Sequence, residues 1–237
     1  MKIAKLSALQ MIALLSIAGL ASFTGITTAV ADEPATDLRI GLYSVFYHSS
    51  ADDITGPYVP AGVNLTAENL ETLYVGVVHH FPDNFALELA LGYPPLSKVK
   101  GSGPATLGST PYDGQVISSA RWISPTLLVE YNFLPATAPL RPYIGVGVNY
   151  TTFYDRDSTA AGNAASGGPT RISLTSSVGP AVTGGVTYRI TDHWAMHASY
   201  GWSQVRTRFT GDTDGFVRST HISFGPQALI VSGGYSF

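Results

Sequence analysis

The stretch VTGGVTYRITDHWAMHASYGW, residues 182–202, interleaves two lists of side chains. Val182, Val186, Tyr188 and Ile190, then Trp194, Met196, Ala198, Tyr200 and Trp202, hold one register, while Thr183, Gly185, Thr187, Arg189, His197 and Ser199 fill the other. A period of two belongs to the β-strand, whose side chains point to opposite faces in turn. Residues that pair across a hairpin share a face, so Ile190 and Trp194 are expected to meet around Thr191-Asp192-His193. Tyr188 then meets Met196, Val186 meets Ala198, and Gly184 falls opposite Tyr200, whose ring can cover the bare glycine backbone. The hairpin has one greasy, aromatic face and one small, polar face. A soluble sandwich would turn the greasy face inward, and a transmembrane barrel would turn it to lipid.

The ends of the chain and its charge separate these solutions. Residues 1–31 carry Lys2 and Lys5, a long apolar stretch and then Ala29-Val30-Ala31, the pattern of a secretory signal peptide with an A-x-A cleavage site. Cleavage there leaves a single domain, 32–237. Removing Lys2 and Lys5 leaves 11 of the 13 basic residues against 16 acidic ones, and no basic patch suggests nucleic acid. Charged residues make up 12% of the chain, about half the usual share of a soluble domain. A lipid-facing exterior produces that shortage. Cysteine is absent, which excludes a disulfide framework and a Cys-based zinc site. After residue 31 no apolar run reaches the roughly 20 residues of a membrane helix, so a membrane-spanning mature chain has to be a barrel.

Strand-like alternation recurs at 38–48, 70–81, 85–93, 120–133, 142–154, 173–190, 194–209 and 218–237. The second hairpin, around Pro82-Asp83-Asn84, is expected to pair Phe81 with Phe85, Val77 with Leu89 and Val75 with Leu91. Connections at 82–84, 134–141 and 191–193 are short, whereas those near 49–69, 94–119, 155–172 and 210–217 are longer and rich in Gly, Pro, Ser, Thr and Asp. Eight antiparallel strands joined in this way describe an all-β outer-membrane barrel with short periplasmic turns and both termini in the periplasm. Phe81, Phe85, Phe133, Tyr188, Trp194, Tyr235 and Phe237 mark its lower aromatic rim, and Tyr93, Tyr150, Tyr154 and Trp202 its upper one.

Three stretches, RPYIGVGVNYTTFYD (141–155), SPTLLVEYNF (124–133) and the ending GPQALIVSGGYSF (225–237), together resemble the OmpW/AlkL family of outer-membrane proteins. The resemblance runs over most of the mature chain. It implies an eight-stranded barrel that lets small hydrophobic compounds cross the outer membrane, partly by releasing them sideways through its wall. Tyr235 and Phe237 also look like the terminal aromatic signal read by the barrel assembly machinery, with Ser232 where that signal usually has glycine.

An eight-stranded barrel is just wide enough to be filled by its own side chains, which argues against an open aqueous pore. By parity the inward positions include Arg39, Tyr43, Tyr74, Glu88, Glu130, Arg189 and His197. Arg39, Glu88, Glu130 and Arg189 read as a paired plug, since unpaired buried charge is costly. Higher up, Val45, Tyr47, Trp122, Phe153 and Val205 form an apolar funnel. Pro125, Pro180 and Pro226 lie inside strands, where proline cannot donate to the ladder, and are expected to mark a lateral opening. The apolar register near Pro226 moves from Ile222 and Phe224 to Leu229 and Val231, which suggests a bulge.

Other chemistry is weaker. His79-His80 places two rings on opposite faces of a strand, so they cannot chelate one ion. Glu88 with Glu130 as a catalytic carboxylate pair gives way to the simpler reading of ion pairing with arginine. Gly145-Val146-Gly147 has no following helix to carry a phosphate, and its glycines are expected to make room for a large neighbour. His221-x-Ser223 is similar to an arrangement in lipid A deacylase barrels, yet no acid is identifiable by register to complete a triad. A structural or receptor barrel acting through its loops is the remaining alternative, with 155–172 flexible by composition.

Overall fold

A computed structural model describes residues 36–237 apart from 49, 83 and 108, so the expected signal peptide lies outside the described residues. From the amino end the strands are β1 (Thr36–Phe46), β2 (Ser50–Ala51), β3 (Asn64–Ala67), β4 (Leu70–His80), β5 (Phe85–Gly92) and β6 (Leu96–Ser102). Then come β7 (Thr106–Leu107), β8 (Thr110–Pro111), β9 (Val116–Ile123), β10 (Thr126–Asn132) and β11 (Leu140–Ser158). After helix α1 (Ala160–Ser166) follow β12 (Arg171–Leu174), β13 (Ser177–Arg189), β14 (Trp194–Ser203), β15 (Arg206–Thr213), β16 (Phe216–Ser223) and β17 (Gln227–Ser236).

Eight of these close a barrel. β1, β4, β5, β10, β11, β13, β14 and β17 pair antiparallel in that cyclic order, with β17 returning to β1. Closure leaves no unpaired edge within the membrane, where exposed backbone groups have no water to bond. Both hairpin registers agree with the alternation. Tyr188 pairs Met196, Val186 pairs Ala198 and Gly184 pairs Tyr200; Val77 pairs Leu89 and Val75 pairs Leu91. The turns close as expected, with Ile190 N–H bonded to Trp194 O at 2.8 Å and Phe81 N–H to Phe85 O at 2.9 Å.

The greasy list faces outward. Ile40, Leu73, Leu127, Val146, Val182 and Met196 are exposed on the barrel wall, as a lipid-facing band requires. Below it Trp194 meets Tyr235 edge-on at 5.0 Å, and Phe85, Tyr131 and Phe133 form a chain of tilted rings. Inside the barrel, large rings sit over glycines: Tyr74 covers Gly76, Tyr143 covers Gly185 and His197 covers Gly234. Gly145 too stands against side chains, with Thr183 Cγ2 2.8 Å and Glu130 Cγ 3.4 Å from where a Cβ would sit, but Gly147 does something else. A Cβ on Gly147 would lie 1.9 Å from the Leu127 carbonyl oxygen, so the neighbouring backbone, and not a bulky side chain, demands glycine there.

Four strands expected as continuous are interrupted, at Ser124-Pro125, Thr175-Ser176, Gln204-Val205 and Phe224–Pro226. Above the interruptions β12-β15-β16-β2 forms a separate sheet, whereas β9, β6 and β3 extend from the outer end of the continuous β11. The expected bulge at Pro226 is a different event. Even positions point inward on both sides: Thr220, Ile222 and Phe224 are buried above the break, Ser232 and Gly234 below it. What changes is the chemistry of each face. Within the membrane the outside is apolar, and beyond it the outside meets water while the inside becomes an ordinary hydrophobic core. β14 and β15 repeat the inversion, with Trp202 outward below and Val205 and Phe209 buried above.

The segment 155–172, expected as a flexible loop, contains α1. Thr159 Oγ1 accepts from Gly162 N–H at its start, and Gly167 ends it at φ 85°, a left-handed position that suits glycine.

Candidate functional site

The lumen divides into a charged floor and an apolar chamber. At floor level β1, β5 and β10 aim Arg39, Glu88 and Glu130 inward, only 2%, 5% and 1% exposed. Tyr74 donates its phenolic hydrogen to Glu88. The Arg39 guanidinium interacts electrostatically with Glu130 and Glu88, lies 5.9 Å over the Tyr143 ring and stands 3.7 Å from Asp37. Asp37 in turn accepts from Ser236 Oγ at 2.6 Å and lies 2.9 Å from His80 Nε2. His197 closes the group, its Nδ1 2.9 Å from Thr187 Oγ1.

The expected symmetry of two acids and two arginines gives way to one arginine among three acids. Arg189 lies apart, half-buried, with its guanidinium on the Ala136 carbonyl and its N–H on the Pro139 carbonyl. Its position at the last rung of β13 puts a long side chain within reach of the turn that follows β10. Asp37 is the third acid, and it does not appear among the inward positions expected from alternation. Asp37 precedes the first residue assigned to that strand by alternation, and Tyr143 was passed over although parity with Gly145 turns it inward. Extending the period by one rung at each strand end finds both.

Above the floor, a space of about 530 Å³ bordered by Tyr43, Leu128, Ala181 and Pro226 leads to the chamber. The chamber is a partly open hollow of about 740 Å³, open solvent included, and is lined by all five expected funnel residues, Val45, Tyr47, Trp122, Phe153 and Val205. Ile172, Leu174, Phe209, Ile222 and Phe224 complete its apolar wall. Phe224 organises the rings, with Tyr47 at 5.7 Å and Phe153 at 6.2 Å. The Trp122 indole N–H donates to Ser97 Oγ at 2.8 Å, so the ring offers the chamber carbon and not an unmet donor. Further out a vestibule of about 880 Å³ between the loops shares Ile172 and Phe209 with the chamber. Burial pushes the phenol of Tyr112, on the vestibule wall, up to about 12, which keeps it neutral.

The three prolines occupy the level of the chamber. Pro125 and Pro226 fall in strand interruptions, and Pro180 faces outward from β13. Their carbonyls still accept, Pro125 from Tyr150 N–H at 2.9 Å, Pro226 from Ser203 N–H at 3.2 Å and Pro180 from Gln204 N–H at 3.0 Å. The seam beside Pro180 mixes backbone and side-chain bonds. Between the rungs Ala181–Ser203 and Leu174–Phe209, Thr175 N–H also bonds the Arg208 carbonyl at 3.3 Å, and side-chain hydroxyls supply the rest: Ser177 Oγ accepts from Arg206 N–H and Thr175 Oγ1 from Arg208 N–H.

His79 and His80 point to opposite faces. His79 lies 3.0 Å from Thr36 Oγ1 and stacks edge-on with Phe81, while His80 turns in to Asp37. Among the described residues no cluster of three metal-ligating side chains exists. Tyr235 and Phe237 are exposed on the lipid face at the end of the last strand.

The sequence profile of the OmpW family matches residues 35–237. Outer membrane protein W of Vibrio cholerae is 30% identical over 200 residues, spanning 84% of this chain and 87% of that protein. The chain belongs to the OmpW family. A further family relative, the dibenzothiophene metabolism operon protein PahQ of Pseudomonas aeruginosa, is 33% identical over 126 residues, 53% of this chain and 56% of its own length. The fold of this OmpW-family chain matches the crystal structure of the outer membrane protein OprG from Pseudomonas aeruginosa with a TM-score of 0.77 at 23% identity, covering 86% of this chain and 96% of the other. The protein is thus an eight-stranded barrel of the bacterial outer membrane.

Proposed function

We propose that this OmpW-family barrel is a conduit for passive uptake of small hydrophobic molecules, which enter the chamber from the outside and leave sideways into the membrane. The observation that carries this reading is a chamber lined mainly by apolar side chains, standing above a floor closed by Arg39, Glu88 and Glu130. An apolar solute gains on entering, at about 0.8 kcal/mol per buried CH₂, and has no reason to cross the ionic floor. A sideways exit follows, and the seam beside Pro180, where side-chain hydroxyls stand in for part of the ladder and proline lacks a donor, is a weakened part of the wall, with Pro125 and Pro226 at the same level. The name of the relative PahQ, from a dibenzothiophene metabolism operon, agrees with a small apolar cargo. No cofactor and no catalytic group enter this account. Tyr235 and Phe237 serve biogenesis, as the signal read by the barrel assembly machinery.

Pro180→Val restores a ladder donor at the seam and Pro226→Val stiffens the chamber rim. Uptake of a short alkane by liposomes holding the purified double variant is expected to fall about fivefold, with unchanged heat-modifiable migration on gels. Unchanged uptake would remove the seam from the pathway.

A further inference from the structure

We propose that the outward face of the sheet formed by β15 and β16 binds the phosphate groups of lipopolysaccharide in the outer leaflet. Arg206 and Arg208 alternate outward with the buried Val205, Thr207 and Phe209, and both are exposed. Their cross-strand partners are Ser223 and His221, so the motif His221-x-Ser223 has arginines beside it and no carboxylate. That arrangement does not build a nucleophile triad, which needs an acid to orient the histidine. It builds a compact cationic patch edged with hydroxyls, and Arg208 is already held over Ser219 Oγ at 3.4 Å.

The patch has no charge partner of its own. Neither arginine forms an ion pair among the described residues. Asp212, the next carboxylate along β15, accepts from Gly215 N–H, and Asp52 donates its backbone N–H to the His221 carbonyl at 3.1 Å. On the other upper strands, β3, β6 and β9, Lys100 is paired with Glu68 at 2.7 Å and Arg121 bonds the Pro94 carbonyl, which leaves Lys98 as a single exposed cation and not a pair of adjacent guanidinium groups.

Height selects the ligand. Trp202, exposed on β14, marks the upper edge of the lipid band. Arg206 follows four residues later, about 10 Å higher at roughly 3.3 Å per residue and a tilt of about 40°. That is the headgroup level, and arginine stems reach back along an apolar surface while the guanidinium stays in the polar layer. Two planar guanidinium forks on one strand face suit bidentate contacts to phosphate oxygens. The outer leaflet presents such phosphates on lipid A. This inference rests on the membrane placement and holds whether or not the chamber conducts.

Native mass spectrometry of the purified full chain, with bisphosphorylated lipid A titrated in, tests it. Arg206→Gln/Arg208→Gln is expected to weaken lipid A binding roughly tenfold, Lys100→Gln to leave it unchanged, and fully dephosphorylated lipid A to bind the unsubstituted protein as weakly as the double variant binds the phosphorylated form. The arm with dephosphorylated lipid needs no variant and so does not depend on folding of the substituted chain. Equal binding of both lipids by the unsubstituted protein, or equal binding of the phosphorylated lipid by both proteins, would overturn the proposal.

Discussion

Arg39→Leu is expected to cost about 3–5 kcal/mol of barrel stability, because removing one partner of a buried ionic group leaves the others uncompensated. Arg39 is the cation that interacts with both Glu88 and Glu130, and all three are buried in the lumen. Without it two carboxylates remain in an enclosed space, with Tyr74 bonded to Glu88 as the main residual support. A native chain holds on the order of 5–15 kcal/mol in total, so the variant should unfold at markedly lower urea or fail to assemble. The triple variant Arg39→Leu/Glu88→Leu/Glu130→Leu separates charge from packing. It should recover most of the loss, since hydrophobic replacement of a whole buried ionic group is often neutral or stabilising. Urea unfolding in lipid vesicles, followed by tryptophan fluorescence, measures both. A single variant as stable as the unsubstituted protein would show that the floor is not held by this arginine.

The second large effect concerns passage. Val205 is 4% exposed, borders the chamber and packs in the cluster that contains Leu65, Ile172, Phe209, Ile222 and Phe224. Val205→Arg places a guanidinium among these side chains with no acid to meet it. The group either stays and makes the chamber hostile to hydrocarbon or swings across and fills it. In both cases uptake of an apolar solute should fall at least tenfold, the equivalent of about 1.4 kcal/mol in the limiting step. Val205 lies in the interruption between β14 and β15, outside the closed eight-strand ladder, so the barrel is expected to assemble and migrate normally on gels. Val205→Leu, close in chemistry, should retain most of the flux. Normal flux through a folded Val205→Arg barrel would exclude the chamber as the route.

Alternation carried most of the fold. Within the membrane each strand faces two solvents that do not mix, so the period of two from Val182 to Trp202 reports directly on orientation and register. It misled where the strands leave lipid. Ile222, Phe224, Leu229 and Val231 looked like a slipped register because apolar was equated with outward, whereas above Pro226 the apolar face encloses a core. The same inversion made Val45, Trp122 and Val205 stand out as a funnel, since inward apolar residues in a lipid-facing barrel need an explanation.

Charge was harder to place. Arg39, Glu88 and Glu130 follow from parity alone, but Arg189 shares their parity and not their depth, and depth depends on where a strand meets its turn. The helix at Ala160–Ser166 was hidden by composition. Its alanines sit among Gly, Ser and Asn, and only Thr159 before it and Gly167 after it signal its ends. Pro180 is legible in the sequence as a proline inside a strand, but the hydroxyl bridges beside it from Thr175 and Ser177 are not, because they depend on how β12 and β13 meet β15.

Diffraction from crystals of the protein soaked with a brominated short alkane interrogates the chamber itself. An anomalous bromine peak among Tyr47, Trp122, Phe153 and Phe224 is the expected result; bromine confined to the outer wall, with the chamber showing only ordered water, would contradict a hydrocarbon-accepting lumen.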